Sequence, residues 1–193
     1  LIRFGFRRAD VGEIEIEENK IITLVDGMLG FEKLKKYILI PHGQDNMFKW
    51  LQSTEDAAVC FLVVEPVSFM FNYSLEIADD VVDRIKIRTP EDVIIYSIVV
   101  IPEEPSKISA NLCGPIVINA VNRMGAQVIS SNPEHQVKHY IIEELKKNTA
   151  RLMTNFATMV NSGKAIAEKL EKTDDAENKN TALASAATAA ETK

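Results

Sequence analysis

Up to about Tyr140, apolar side chains come in short runs parted by turn-forming residues. The richest runs are Val93 to Ile101 and Asn111 to Asn119, both heavy in Val and Ile. These side chains pack well on a pleated surface. Near-continuous apolar character predicts strands covered on both faces, as in a closed or well-covered sheet. Pro115 interrupts the second run. Proline cannot donate to a ladder, so it is expected at a bulge, an edge or a strand start. Asn111 and Asn119 bracket the run with side chains able to hold turns through local hydrogen bonds.

Other runs extend the pattern. Leu1 to Phe6 reads as an edge strand, and Gly12 to Glu17 alternates apolar and acidic residues, as a half-exposed strand does. Ile21–Val25, Tyr37–Pro41, Phe48–Ser53, Ala57–Val64 and a last short Gln127–Ile129 complete the strand set. The Asp26–Glu32 loop holds Gly27 and Gly30, which permit a tight path with positive φ. Two glycines without a following Gly-Lys-Ser/Thr are too few to cradle a phosphate. Pro66–Tyr73 is aromatic-rich and is either a lid over one end of the sheet or an exposed contact patch. Within Ile77–Ile87 one or two helical turns are expected, with Asp79 and Asp80 placed where the helix dipole favours acids. Many short strands with regular turns predict a mostly β fold, a small antiparallel β-barrel-like domain.

From about Tyr140 the period changes. Ile142, Thr149, Phe156 and Leu170 share one position of a seven-residue repeat; Leu145, Leu152, Met159 and Ile166 fall three further on. That is a heptad seam. Asn161-Ser162-Gly163 is a helix stop, so one helix or two broken near Gly163 are expected. The stripe either docks on the chain's own β domain or serves self-association or a partner helix. Beyond Thr173 the chain is rich in Ala, Thr, Asn and charge, and is expected to be disordered. The organisation read from sequence is a β domain over 1–142, an amphipathic helical extension over 143–172 and a disordered tail over 173–193.

Charge narrows the function. The formal net charge is −6, and residues 143–193 are neutral, with eight basic and eight acidic side chains. The β domain carries the whole excess. Such a body is a poor nucleic-acid binder, because phosphate contacts need Lys and Arg. A basic protein partner suits it better. Cys60 and Cys113 lie in apolar runs and are expected to be buried reduced thiols. No run reaches transmembrane length and no signal-peptide pattern opens the chain, so a cytoplasmic protein without membrane contact is expected. No catalytic constellation is present: there is no Gly-x-Ser-x-Gly elbow and no His-Glu-x-x-His. His135, His139 and Glu143 are spaced by four and would share one helix face behind Pro133. With no further ligand evident, neither a metal nor a cofactor is expected.

Three pieces then fall in order. Gly12-Glu13-Ile14-Glu15-Ile16 leads into Ile22-Thr23-Leu24-Val25-Asp26-Gly27-Met28-Leu29-Gly30-Phe31-Glu32. Trp50-Leu51-Gln52-Ser53 and an apolar strand ending at Glu65-Pro66 follow. Asn111-Leu112-Cys113-Gly114-Pro115-Ile116-Val117-Ile118-Asn119 and Gly125-Ala126-Gln127-Val128-Ile129 close the series. Over about residues 8–142 this succession resembles the FliW flagellar assembly factor family. One departure is Leu29, where the family loop usually carries proline; the loop is expected to be less rigid. The resemblance implies a non-enzymatic adaptor that binds two proteins, the translational regulator CsrA and flagellin. The candidate contact residues are Gly27, Gly30, Phe31, Glu32, Asn111, Pro115 and Asn119, with a purely structural role in turns and core as the other reading. The rival function is a small β-barrel enzyme or cofactor-binding protein with a cleft near Trp50.

Overall fold

The computed structural model describes residues 2–5, 13–42, 47–155 and 157–159. The chain divides into two units, Leu1–Lys146 and Lys147–Lys193. In the first, β1 (Ile2–Gly5) and β2 (Glu13–Ile16) form a two-stranded antiparallel sheet. The barrel strands are β3 (Ile22–Leu24), β4 (Lys36–His42), β5 (Phe48–Ser53), β6 (Cys60–Val64), β7 (Val93–Val100), β9 (Ile116–Asn119) and β10 (Met124–Gln127). Between β7 and β9 lies the short β8 (Ser109–Ala110), which pairs with the end of β7 and with β11 (His139–Tyr140).

Neighbouring pairs run β7–β6–β5–β4–β3–β10–β9, and β9 returns to β7, closing a seven-stranded barrel. Closure leaves these seven strands no free edge along their paired lengths. The pairs are antiparallel except β3 with β10, which is parallel.

Alternation along the strands explains the core. Ile22, Leu24, Tyr37, Leu51, Val63, Tyr96, Ile116 and Ile118 turn inward with Met28 to form one cluster. The strand β10 contributes Gly125 at this level. A Cβ there would lie 2.8 Å from the Val117 carbonyl oxygen and 3.0 Å from Leu24 Cδ2. A close backbone approach accounts for the glycine. Outward residues meet further cover. Val117, Ala126 and Val128 pack under Val81 of the helix α1 (Asp79–Arg84) and under Ile85, which follows it. Leu62, Val64 and Val99 pack with Phe69, Met70, Tyr73, Leu112 and Ile141. All four residues of β9 are thus buried, as its unbroken apolar sequence requires.

Some boundaries differ from the pattern. Pro115 stands one residue before β9, so the ladder needs no donor from it, and Asn111–Pro115 is a turn. The Ala57–Val64 run becomes strand at Cys60; Asp56–Val59 is a turn closed by the Val59 amide on the Asp56 carbonyl. The last barrel strand lies earlier than the expected Gln127–Ile129: Met124 and Gly125 are ladder residues, and β10 ends at Gln127. The strand set extends beyond Gln127 to β11. Pro66–Tyr73 packs mainly as a lid: Phe69, Met70 and Tyr73 are buried, while Val67 and Phe71 are exposed.

A helix, α2, covers residues 141–155 and 157–159. Ile141 and Leu145 join the cluster around Leu62 and Val64. Leu152, Met153 and Met159 are exposed. The expected stop near Gly163 and the tail over 173–193 lie outside the described residues.

Candidate functional site

Two loops named from the sequence meet at one side chain. The first begins where the Gly27 amide caps the Leu24 carbonyl and Gly27 takes φ of 75°. A Cβ on Gly27 would sit 2.8 Å from the Glu32 backbone, so sterics and φ both demand glycine. Met28 and Phe31 then bridge, with the Phe31 amide 2.7 Å from the Met28 carbonyl. Gly30 has φ of 84°, the positive value needed at the third position of such a turn. The Gly30 amide donates to Glu32 Oε1 at 2.8 Å. This bond and the Glu32 amide hold its carboxyl below the usual range, with Lys35 adding to the effect. Leu29 and Phe31 are exposed, and Phe31 meets Phe61 edge to face at 5.3 Å.

The second loop is an asparagine turn. Asn111 Oδ1 accepts from the amides of Cys113 and Gly114 at 3.0 and 3.1 Å. The Cys113 thiol donates to the His135 carbonyl oxygen. Pro115 is buried and delivers the chain into β9.

Gln127, at the end of β10, clasps the two loops. Its Oε1 accepts from the Leu29 amide at 2.9 Å, and its Nε2 donates to the Gly114 carbonyl at 3.0 Å. Leu29 matters here because a proline at this position would have no amide hydrogen to give. Gln127 was not among the residues selected from sequence. Its one signal there is an amide side chain inside the otherwise apolar Gly125–Ile129.

Asn119 stands apart from the clasp, at the far end of β9. It is buried, donates to the Ile85 and Lys86 carbonyls, and accepts from the Val121 and Asn122 amides. It braces two turns.

Other polar groups are occupied structurally. Lys49 Nζ donates to Glu65 Oε1 and to the Tyr96 hydroxyl, each at 2.8 Å. Burial pulls the Lys49 ammonium down, but the bonds to Glu65 and Tyr96 outweigh it and leave it above its ordinary value. Trp50 is half-buried against the lid cluster, and its indole donates to His42 Nδ1. The helix face expected for His135, His139 and Glu143 does not form. His139 belongs to β11, and α2 begins only at residue 141. His135 is buried, stacked on Tyr73 at 4.7 Å, with Ser130 Oγ 2.6 Å from its Nδ1. Burial, then the neighbouring His139, lowers its pKa. Among the described residues no group of three metal-ligating side chains converges. Cys60 and Cys113 are half-buried rather than buried, and neither takes part in a disulfide among the described residues.

A family model described as the FliW protein matches residues 6–141. The chain belongs to the FliW family. The flagellar assembly factor FliW of Ruminiclostridium cellulolyticum is 39% identical over 137 residues, covering 70% of this chain and 93% of that protein. The FliW of Thermoanaerobacter pseudethanolicus is 40% identical over 136 residues, covering 70% and 91%. A crystal structure of the flagellar assembly factor FliW superposes with a TM-score of 0.66 at 31% identity, covering 72% of this chain and 96% of that one. The FliW match thus takes in the whole barrel and both clasped loops. No helix of the described residues is long and apolar enough to cross a membrane.

Proposed function

We propose that this FliW-family chain is a cytoplasmic protein-binding adaptor of flagellar assembly, without catalytic activity. It sequesters the translational regulator CsrA and binds flagellin, so that flagellin supply and filament assembly are coupled. The observation that carries this reading is the Gln127 clasp. It fixes two loops side by side and holds the apolar tips of Leu29 and Phe31 at the surface. Exposed apolar side chains on a braced loop suit protein contact. The acidic body complements a basic RNA-binding partner and disfavours direct contact with nucleic acid.

The mechanism is exchange by binding free energy. Mutually exclusive partners need differ by only about 1.4 kcal/mol to tip occupancy tenfold at equal concentrations. Calorimetric titration with CsrA, repeated after saturation with flagellin, tests this. Tight binding that flagellin abolishes is the expected result. Binding to CsrA unaffected by flagellin overturns the exchange. Self-association through α2 is supported by the exposure of Leu152, Met153 and Met159. A solution mass unchanged by Leu152→Glu with Met159→Glu would count against it.

A further inference from the structure

A groove of about 630 Å³ lies between two stretches of chain, Glu76–Asp79 and Gln127–Ser131. A hollow of about 480 Å³ continues it past Leu75, Asn132 and Pro133, sharing Glu76 and Ser131. The Val128 amide donates to the Pro115 carbonyl and the Ser130 amide to the Cys113 carbonyl. In an extended chain, successive residues direct their main-chain groups to opposite sides. The Ile129 amide and carbonyl therefore face away from the Cys113–Pro115 segment. On that side β3 pairs with β10 only as far as Leu24, and the chain turns away after Val25. Beyond Gly125 that side of the segment has no ladder partner among the described residues. Neither Ile129 nor Ile77 on the facing wall makes a main-chain hydrogen bond among the described residues. The walls are joined by Ser131 Oγ and Glu76 Oε2 at 3.4 Å.

The chemistry of the groove narrows the occupant. Val81 and Val128 are buried beneath it, and the Ile129 side chain is 70% exposed. Glu76 and Asp79 have no basic partner among the described residues. An unpaired strand edge is a template for another strand, and unpaired carboxylates repel phosphate but attract Lys and Arg.

We infer that this groove takes an extended, basic segment of a protein partner, which adds as a strand along Gln127–Ser131. Alternate side chains of a strand point to opposite faces. One set, apolar, settles on Ile77, Val81 and Val128. The other set carries Lys or Arg toward Glu76 and Asp79. Main-chain bonds supply affinity and alternate side chains supply selectivity, as in strand-addition recognition generally. The groove works this way whether or not Leu29 and Phe31 touch a partner.

The test uses the full chain and a fluorescent acetylated Lys-Val-Lys-Val-Lys-Val peptide. Saturable binding is expected, with hydrogen exchange slowed at the Ile77 and Ile129 amides. N-methylating alternate peptide residues should weaken binding about tenfold, equivalent to about 1.4 kcal/mol. Glu76→Lys should weaken it by a similar factor, while Glu104→Lys, outside the groove, leaves it unchanged. Absence of saturable binding overturns the inference. So does equal affinity for the N-methylated peptide, or protection that falls elsewhere on the barrel.

Discussion

Two asparagines flank the same strand and do different work. Asn119 is 1% exposed and its side chain serves four backbone groups. Asn111 is half-buried and serves two amides within its own turn. Both use the short side chain to replace a backbone partner. The difference lies in what surrounds the turn. The Asn119 corner joins α1 to the β9–β10 turn, and includes Lys86 and Arg123, each non-glycine with positive φ. The Asn111 corner touches Gln127, whose other contact is a loop with exposed apolar tips. One end of the strand is framework, and the other is framework that carries a surface.

Substitution of the two side chains should separate the two corners. Asn119→Ala leaves buried carbonyls and amides unpaired and should lower stability by about 3 kcal/mol. Asn111→Ala exposes its two amides to partial hydration and should cost about 1 kcal/mol. Chemical denaturation of both variants measures the gap. Equal losses would mean that burial is not what separates the corners. Gly27→Ala falls between them at about 2 kcal/mol, because the added Cβ meets the Glu32 backbone at a positive φ.

Much of the barrel was legible because its strands alternate or bury both faces, and both loops were visible through Gly27, Gly30 and Asn111. The clasp was hidden, since Gln127 finds its partners 98 and 13 residues away. Gly125 hid the start of β10, because glycine marks turns. Here it stands in the ladder, where the Val117 carbonyl leaves no room for Cβ. His135 and His139 misled for a different reason. Their spacing suits a helix, but the sheet takes the backbone first: Leu112 bonds to the Gln136 carbonyl, and His139–Tyr140 pair with β8. The parallel pairing of β3 with β10 is two residue pairs long and leaves no periodic trace.

Gln127→Leu sharpens the contrast from the surface side. The fold loses two exposed-to-half-buried hydrogen bonds, about 1 kcal/mol. The loops, no longer held together, should lose partner affinity by about tenfold while the melting transition stays cooperative. Titration of the variant against CsrA and flagellin checks it; unchanged affinity for both would place the contact surface elsewhere. Leu29→Pro is the milder form. It fixes φ in the turn but removes the amide that Gln127 accepts from, so the gain and the loss oppose each other.

His135 makes the stability of the fold depend on pH. Its folded pKa lies below the ordinary 6.5, chiefly through burial, with His139 adding repulsion and Glu134 opposing it. Tyr73, Ser130 and Asn132 also face the ring. The unfolded chain therefore binds the proton first as pH falls. Stability is fully present above 6.5 and declines as pH drops toward the folded value. His135→Gln should remove that decline from a denaturation series between pH 7 and 5. An identical slope in both proteins would reject the assignment.

The smallest effect should have the opposite sign. Tyr37 is wholly buried in the barrel, and its hydroxyl has no hydrogen-bond partner among the described residues. Burial, with the Glu55 carboxylate adding to it, pushes its pKa up to about 12, so the group is neutral at any working pH. A neutral hydroxyl still loses its water on folding and gains nothing in exchange. Tyr37→Phe keeps the ring and discards that penalty, so stability should rise by up to about 1 kcal/mol. Partner binding should be unchanged, since the ring lies inside the barrel. A loss of stability on removing the hydroxyl would show that it is bonded in solution, to a water held within the barrel core.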